Sequence, residues 1–318
     1  MPKTPKYRRR LPQLDGKLFL TDGGLETTLI FHEGWDLPIG EAFTLLETDR
    51  GRKALRAYFD RYVPMAVADG VGFVLESPTW RANPDWAAKI GYGRVELAAI
   101  NAAAIDFMHE IRQAYEFERS PMPISGCVGP RGDGYDPGAP MAAAEAESYH
   151  AWQIGIFKDS GADMVSAITM TNVAEAVGFV RAAQAAEMPA VVSFTLETDG
   201  RLPTGELLKE AIQAVDGATG QRPAYYMINC AHPTHFDHVF EPGADWMGRI
   251  RGLRANSSRR SHAELDNSPS LDIGNPSELG TQYADIRRRF PQINVLGGCC
   301  GTDHRHVACI GRACKMAA

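Results

Sequence analysis

The stretch Ile293-Asn294-Val295-Leu296-Gly297-Gly298-Cys299-Cys300-Gly301-Thr302 is a short apolar run that breaks into glycines around two adjacent cysteines. A run that is apolar without alternation suits a strand covered on both faces, as strands of parallel sheets are. The glycines after it allow a sharp turn at the strand's C-terminal end. A second run, Tyr225-Tyr226-Met227-Ile228, leads in the same way into Asn229-Cys230. Working outward, strands are expected at 18–21, which enters Asp22-Gly23-Gly24, and at 73–75, which ends at Glu76-Ser77. Further strands are expected at 124–128, 164–168 and 190–194, and a weaker one at 250–254.

Helical spacing fills the intervals. Leu55, Tyr58, Phe59 and Tyr62 share one face of a segment that Pro64 should kink and Gly70 should cap. Helices are also expected over 94–115, around Tyr149, Trp152 and Ile156, over 173–186, and over 303–315. Another holds Leu208, Ala211, Ile212 and Val215, with Thr204 as its N-cap. Eight strand–helix units in one chain close most simply as a single (β/α)₈ TIM barrel, here over residues 17–318. A doubly wound sheet would carry a glycine-rich phosphate turn after an early strand, and no such motif is present.

The chain of 318 residues is 44% hydrophobic, ample for one large core. A formal net charge of −6 excludes a global basic field for nucleic acid or an anionic membrane. The opening MPKTPKYRRR is basic but is followed by no apolar signal-peptide core, so residues 1–16 are expected to form an arm, disordered or laid on the surface. No run approaches the ~18 apolar residues of a membrane span. The expected compartment is the cytoplasm, where thiols stay reduced and six cysteines point to metal or catalytic use before a disulfide framework.

In a barrel the C-terminal ends of the strands meet on one face. Cys230 follows the sixth expected strand, while Cys299 and Cys300 follow the eighth, so three thiols should arrive at one mouth. Three thiolates with an open fourth position describe a catalytic zinc site, and their softness favours Zn²⁺ over Mg²⁺ or Ca²⁺. Cys127, Cys309 and Cys314 are expected to be buried and inert. His232, His235 and His238 recur every three residues, but Pro233 and the lack of an HExxH pattern favour solvent-facing side chains. Arg131-Gly132-Asp133 reads as a turn. The long polar segment 256–280 is either a lid or a surface insertion. Two rival classes are a zinc hydrolase and a zinc-stabilised scaffold with His232 or His304 as fourth ligand.

Asp22-Gly23-Gly24-Leu25-Glu26-Thr27, Gly126-Cys127-Val128-Gly129-Pro130, Asn229-Cys230 and Gly297-Gly298-Cys299-Cys300-Gly301-Thr302, in that order, resemble the homocysteine S-methyltransferase family. The resemblance runs from about Leu18 to Val307 and implies a zinc barrel that moves a methyl group onto the sulfur of homocysteine, giving methionine. It implies Cys230, Cys299 and Cys300 as catalytic zinc ligands. It also implies that Asp22, Gly23, Gly24 and Thr79 contact the acceptor, with Asn229 bracing the Cys230 loop. The partners implied are a small-molecule thiol and a methyl donor, which across the family is S-methylmethionine, S-adenosylmethionine, betaine or a methylfolate. Two departures stand out. Cys127 replaces a serine of the family's turn, and Ile168 stands where a glutamate usually grips the acceptor's ammonium. Either Glu76 or Glu197 takes over that charge, or the acceptor is another thiol.

Overall fold

The computed structural model describes residues 4–266 and 270–316. The apolar runs form nine parallel strands: β1 (Phe19–Leu20), β2 (Gly72–Phe73), β3 (Leu75–Glu76), β4 (Ile124–Val128), β5 (Met164–Met170), β6 (Ala190–Thr195), β7 (Tyr225–Asn229), β8 (Ile250–Ala255) and β9 (Val295–Gly298). Their order is β2-β1-β9-β8-β7-β6-β5-β4-β3. Only Val74 separates β2 from β3, and its amide still reaches the Leu20 carbonyl at 2.9 Å. The two pieces therefore act as one strand, the first pairing with β1 and the second with β4. Register Phe19↔Val295 joins β1 to β9 and completes an eight-staved barrel ringed by helices. Every residue of β4 to β7 is buried, which is the physical reason these runs are continuously apolar.

Several local expectations change. The 55–67 helix is two helices, Asp49–Phe59 and Val63–Asp69, because Pro64 lies in the first turn of the second. Gly70 caps it in the left-handed region at φ 63°, as its sequence position suggested. Thr204 does not cap the next helix. The N-cap of Leu208–Thr219 is Leu207, and the Thr204 hydroxyl donates to the Thr171 carbonyl at 2.9 Å. Segment 256–280 holds the helix His262–Asp266 and the start of Pro276–Arg289, whose N-cap is Asn275. Residues 267–269 of that segment, like residues 1–3 of the arm, lie outside the described residues. Among the described residues no helix is long and apolar enough to cross a membrane.

The basic arm is neither loose nor merely laid on the surface over residues 4–16. Arg8 donates to the carbonyls of Lys158 and Ala162 at 2.8 and 2.7 Å, and the Tyr7 amide donates to Asp163 at 2.7 Å. Beyond these anchors Leu11 is 2% exposed and packs with Phe19, Val74, Met164, Val191 and Tyr225 inside the barrel. Gln13 is fully buried beside the Tyr225 hydroxyl, at 3.3 Å. The inward-facing layer at the N-terminal end of the strands would otherwise meet water, and the arm covers it. Leu11→Ala is accordingly expected to cost about 2–4 kcal/mol of stability in urea unfolding. An unchanged midpoint would show that the arm is no part of the core.

Candidate metal centre

Two strand ends bring the cysteines together. β7 stops at Asn229, and Cys230 follows with a left-handed backbone, φ 53°, an unusual conformation for a residue with a Cβ. β9 stops at Gly298, after which the chain turns tightly: the Thr302 amide and hydroxyl both reach the Cys299 carbonyl, at 3.1 and 2.7 Å. A side chain at Gly298 would overlap Thr302, and one at Gly297 would overlap Thr21, so this turn requires both glycines. The sulfurs of Cys230, Cys299 and Cys300 all lie within 4.8 Å of one another. Cys230 and Cys299 are joined as a disulfide with Cα atoms 5.4 Å apart, and Cys300 is not part of that bond.

Asn229 braces this cluster from behind. Its side-chain amide donates to Cys230 Sγ at 3.1 Å and to the Thr169 hydroxyl at 2.8 Å. Its carbonyl accepts from the Thr169 amide at 3.0 Å and the Ser193 hydroxyl at 2.6 Å. Thr169 itself is left-handed, φ 67°, so two strand ends next to the sulfurs carry unusual backbone. Among the described residues no histidine or carboxylate joins the three sulfurs within that distance. The donor set is thus three soft sulfurs with a free side, which fits zinc or a similar thiolate-binding metal once the disulfide is reduced. A scaffold role with His232 or His304 as fourth ligand finds no support in this geometry.

The free side opens into a cavity of about 500 Å³ lined by all three cysteines. Asp22, Gly23 and Gly24, after β1, lie on its wall. Ile168 also lies there, 7% exposed, with the Trp80 indole donating to its carbonyl at 3.1 Å. Thr79 does not line the cavity. It is fully buried behind the wall and donates to the Cys127 carbonyl at 2.7 Å. Glu197 is also off the wall, whereas Glu76 is on it but held by a cation. That cation is Arg254, at the end of β8, paired with Asp22 at 2.6 Å and with Glu76 at 3.5 Å. Burial pushes the Glu76 carboxyl up to about 7, Arg254 only partly offsetting it. Burial also opposes the charge on Arg254, but Asp22 and Glu76 together outweigh it and raise its pKa. Tyr58 closes the group by donating to Asp22 at 2.9 Å.

Other expectations divide. His232 and His235 are buried rather than solvent-facing, since the chain after Cys230 packs the Pro233–Phe236 turn inward. Burial lowers the His232 pKa to about 4. His238 is exposed, as expected. Cys314 is buried, Cys309 only partly so. Cys127 is buried on the cavity wall, and burial pushes its thiol well up, which keeps it protonated. Segment 256–280 reaches the site: His262 stacks on Tyr135, ring centroids 4.1 Å apart, and the Tyr135 hydroxyl lies 3.4 Å from Cys300 Sγ. Arg254, Trp80 and Tyr135 on this wall belong to none of the sequence motifs, and Glu26 lies within the Asp22–Thr27 motif without an implied role. A charged residue at the end of a strand run was the available signal for Arg254.

Removing Arg254 would leave two buried carboxylates facing each other. Arg254→Met is expected to destabilise the fold by about 3–5 kcal/mol in chemical denaturation, with part of the loss recovered in Arg254→Met/Asp22→Asn. Equal stability of parent and Arg254→Met would contradict the buried network.

The profile of the homocysteine S-methyltransferase family matches residues 19–314. Among solved structures, the chain resembles the oxidized form of the homocysteine methyltransferase MmuM from Escherichia coli, with 19% identity over 93% of this chain and 95% of that one, TM-score 0.69. It resembles the metallated form of the same protein with 18% identity over 95% and 96% of the two chains, TM-score 0.68. At these identities the likeness establishes the barrel fold. No curated protein sequence matches the chain. With the profile covering nearly every residue from the first strand to the last helix, the chain belongs to the homocysteine S-methyltransferase family.

Proposed function

We propose that this methyltransferase moves a methyl group onto the sulfur of a small thiol, homocysteine first among them, with Zn²⁺ held by Cys230, Cys299 and Cys300. The observation that carries this reading is the three-sulfur cluster, with no fourth protein ligand among the described residues, opening into one cavity. When bound, zinc would supply an open position at which a thiol loses its proton at neutral pH and becomes the nucleophile, with no general base required.

The chain's own residues do the rest. Asn229 donates to Cys230 Sγ and fixes that side chain relative to the Cys299–Thr302 turn. Asp22, Gly23 and Gly24 line the same cavity as the cysteines and would meet the backbone end of an amino-acid acceptor. Thr79 stands behind the wall and supports it through the Cys127 carbonyl. Tyr135 and His262 stack across the mouth and help keep water from the reacting sulfur. Holding acceptor and donor in line within this cavity contributes several kcal/mol towards the barrier. A hydrolase would need a base positioned on a metal-held water, and three thiolates make zinc a weaker electrophile for that purpose. Methyl transfer suits the same electron-rich sulfurs better.

After reduction of the Cys230–Cys299 disulfide, the protein is expected to take up one zinc per chain and to add one methyl mass to L-homocysteine in a panel of donors. Cys230→Ala, Cys299→Ala and Cys300→Ala should each lose zinc and turnover. Full turnover by metal-stripped protein would refute the proposal. Asn229→Leu should keep the three ligands but weaken zinc binding about 10–100-fold in competition with a chelator, since it removes the donor that orients Cys230. Unaltered zinc affinity in that variant would remove Asn229 from the site.

A further inference from the structure

The charges on the cavity wall do not balance. Four carboxylates line it, from Asp22, Glu26, Glu76 and Asp133, against two guanidiniums, from Arg81 and Arg254. Arg254 is engaged by Asp22 and Glu76 and also donates to the Gly23 and Gly298 carbonyls, at 3.4 and 3.2 Å. Arg81 is engaged by Asp133 at 3.3 Å and the Gly132 carbonyl at 3.2 Å, and its guanidinium lies against the Trp80 and Trp86 rings. Glu26 is left over. Among the described residues no cation pairs with it and no other side chain hydrogen-bonds it, although it stands two residues beyond Gly24 on the same wall as the cysteines.

We propose that Glu26 is the specificity-determining residue that binds a cationic onium group of a substrate in this cavity. This rests on the methyl-transfer reading of the same site. An onium centre is present both in an amino-acid acceptor, as its α-ammonium, and in a sulfonium or quaternary ammonium methyl donor. Ile168, on the same wall, offers no charge to either, and Asp22 is already neutralised by Arg254. A hard divalent cation is a poorer occupant, because it needs several free oxygen ligands and the neighbouring carboxylates are held by arginines. Burial raises the Glu26 carboxyl to about 7, with its own amide, Arg254 and Arg81 too weak to offset it. A carboxylate in that condition gains most from a cation brought by a ligand.

The test uses the reduced zinc protein, L-homocysteine, and S-methylmethionine as a sulfonium donor. Glu26→Gln preserves shape and removes charge, and Glu26→Asp retains charge. Glu26→Gln should weaken binding of one onium ligand about 10–100-fold by calorimetry, and raise its KM in step, with kcat and zinc content changed much less. Glu26→Asp should keep most of the affinity. Loss confined to homocysteine, with 3-mercaptopropionate unaffected, assigns Glu26 to the acceptor's ammonium. Loss confined to S-methylmethionine assigns it to the donor. Affinities for both ligands within twofold of the parent overturn the proposal, as does a parent that binds neither. If the parent methylates no thiol but Glu26→Gln still loses onium binding, the methyl-transfer reading fails and the role of Glu26 stands.

Discussion

Parallel closure is the constraint on which this molecule depends. When eight parallel strands close on themselves, every strand points its C-terminal end at the same rim, whatever the separation in sequence. Cys230 and Cys299 are 69 residues apart, yet the ends of β7 and β9 set their Cα atoms 5.4 Å from each other. Between them lies β8, whose last residues carry Arg254, so the same closure that gathers the sulfurs also plants a cation at the cavity floor. The price of such precision is local: left-handed backbone at Thr169 and Cys230, and glycines where a Cβ would strike Thr21 or Thr302.

Electrostatics then divides the cavity into settled and unsettled parts. Asp22, Glu76 and Arg254 form a buried group in which one guanidinium faces two carboxylates; Tyr58 adds a hydrogen bond to Asp22, and Glu76 Oε1 has no hydrogen-bond partner among the described residues. Such a group is tolerated in a low-dielectric interior because opposite charges face each other at short range. Glu26 has no such partner, and three anionic sulfurs around a divalent metal would leave a further negative charge at the same place. On the proposed reading both features would favour positively charged ligands over anionic ones.

Much of the barrel could be read from the chain. Runs such as 190–194 and 225–228 are apolar without alternation, and that pattern has one physical cause, burial on both faces. Helix ends marked by Gly70 and broken by Pro64 followed from backbone sterics. The failures share a cause as well. Thr204 is chemically suited to cap a helix, but the Thr171 carbonyl lay within its reach and took the hydroxyl. The arm looked polar because Lys3, Lys6, Arg8, Arg9 and Arg10 dominate it, while Leu11 and Gln13, which do the packing, are individually unremarkable. His232 and His235 looked solvent-bound because their spacing says nothing about which side of a turn faces inward.

The sequence by itself determined the strand–helix alternation, the three thiols and the glycines around them, since these depend on residue type and near-neighbour spacing. The resemblance to the family, in turn, marked Ile168 as standing where a glutamate is usual. Only the tertiary structure decided which charges meet, because ion pairing depends on distances across the barrel that no local pattern encodes. Arg254 lies 232 residues from Asp22 and 178 from Glu76, yet it neutralises the first and holds the second. That pairing engages Glu76, whereas Glu26 on the same wall has no pairing cation among the described residues.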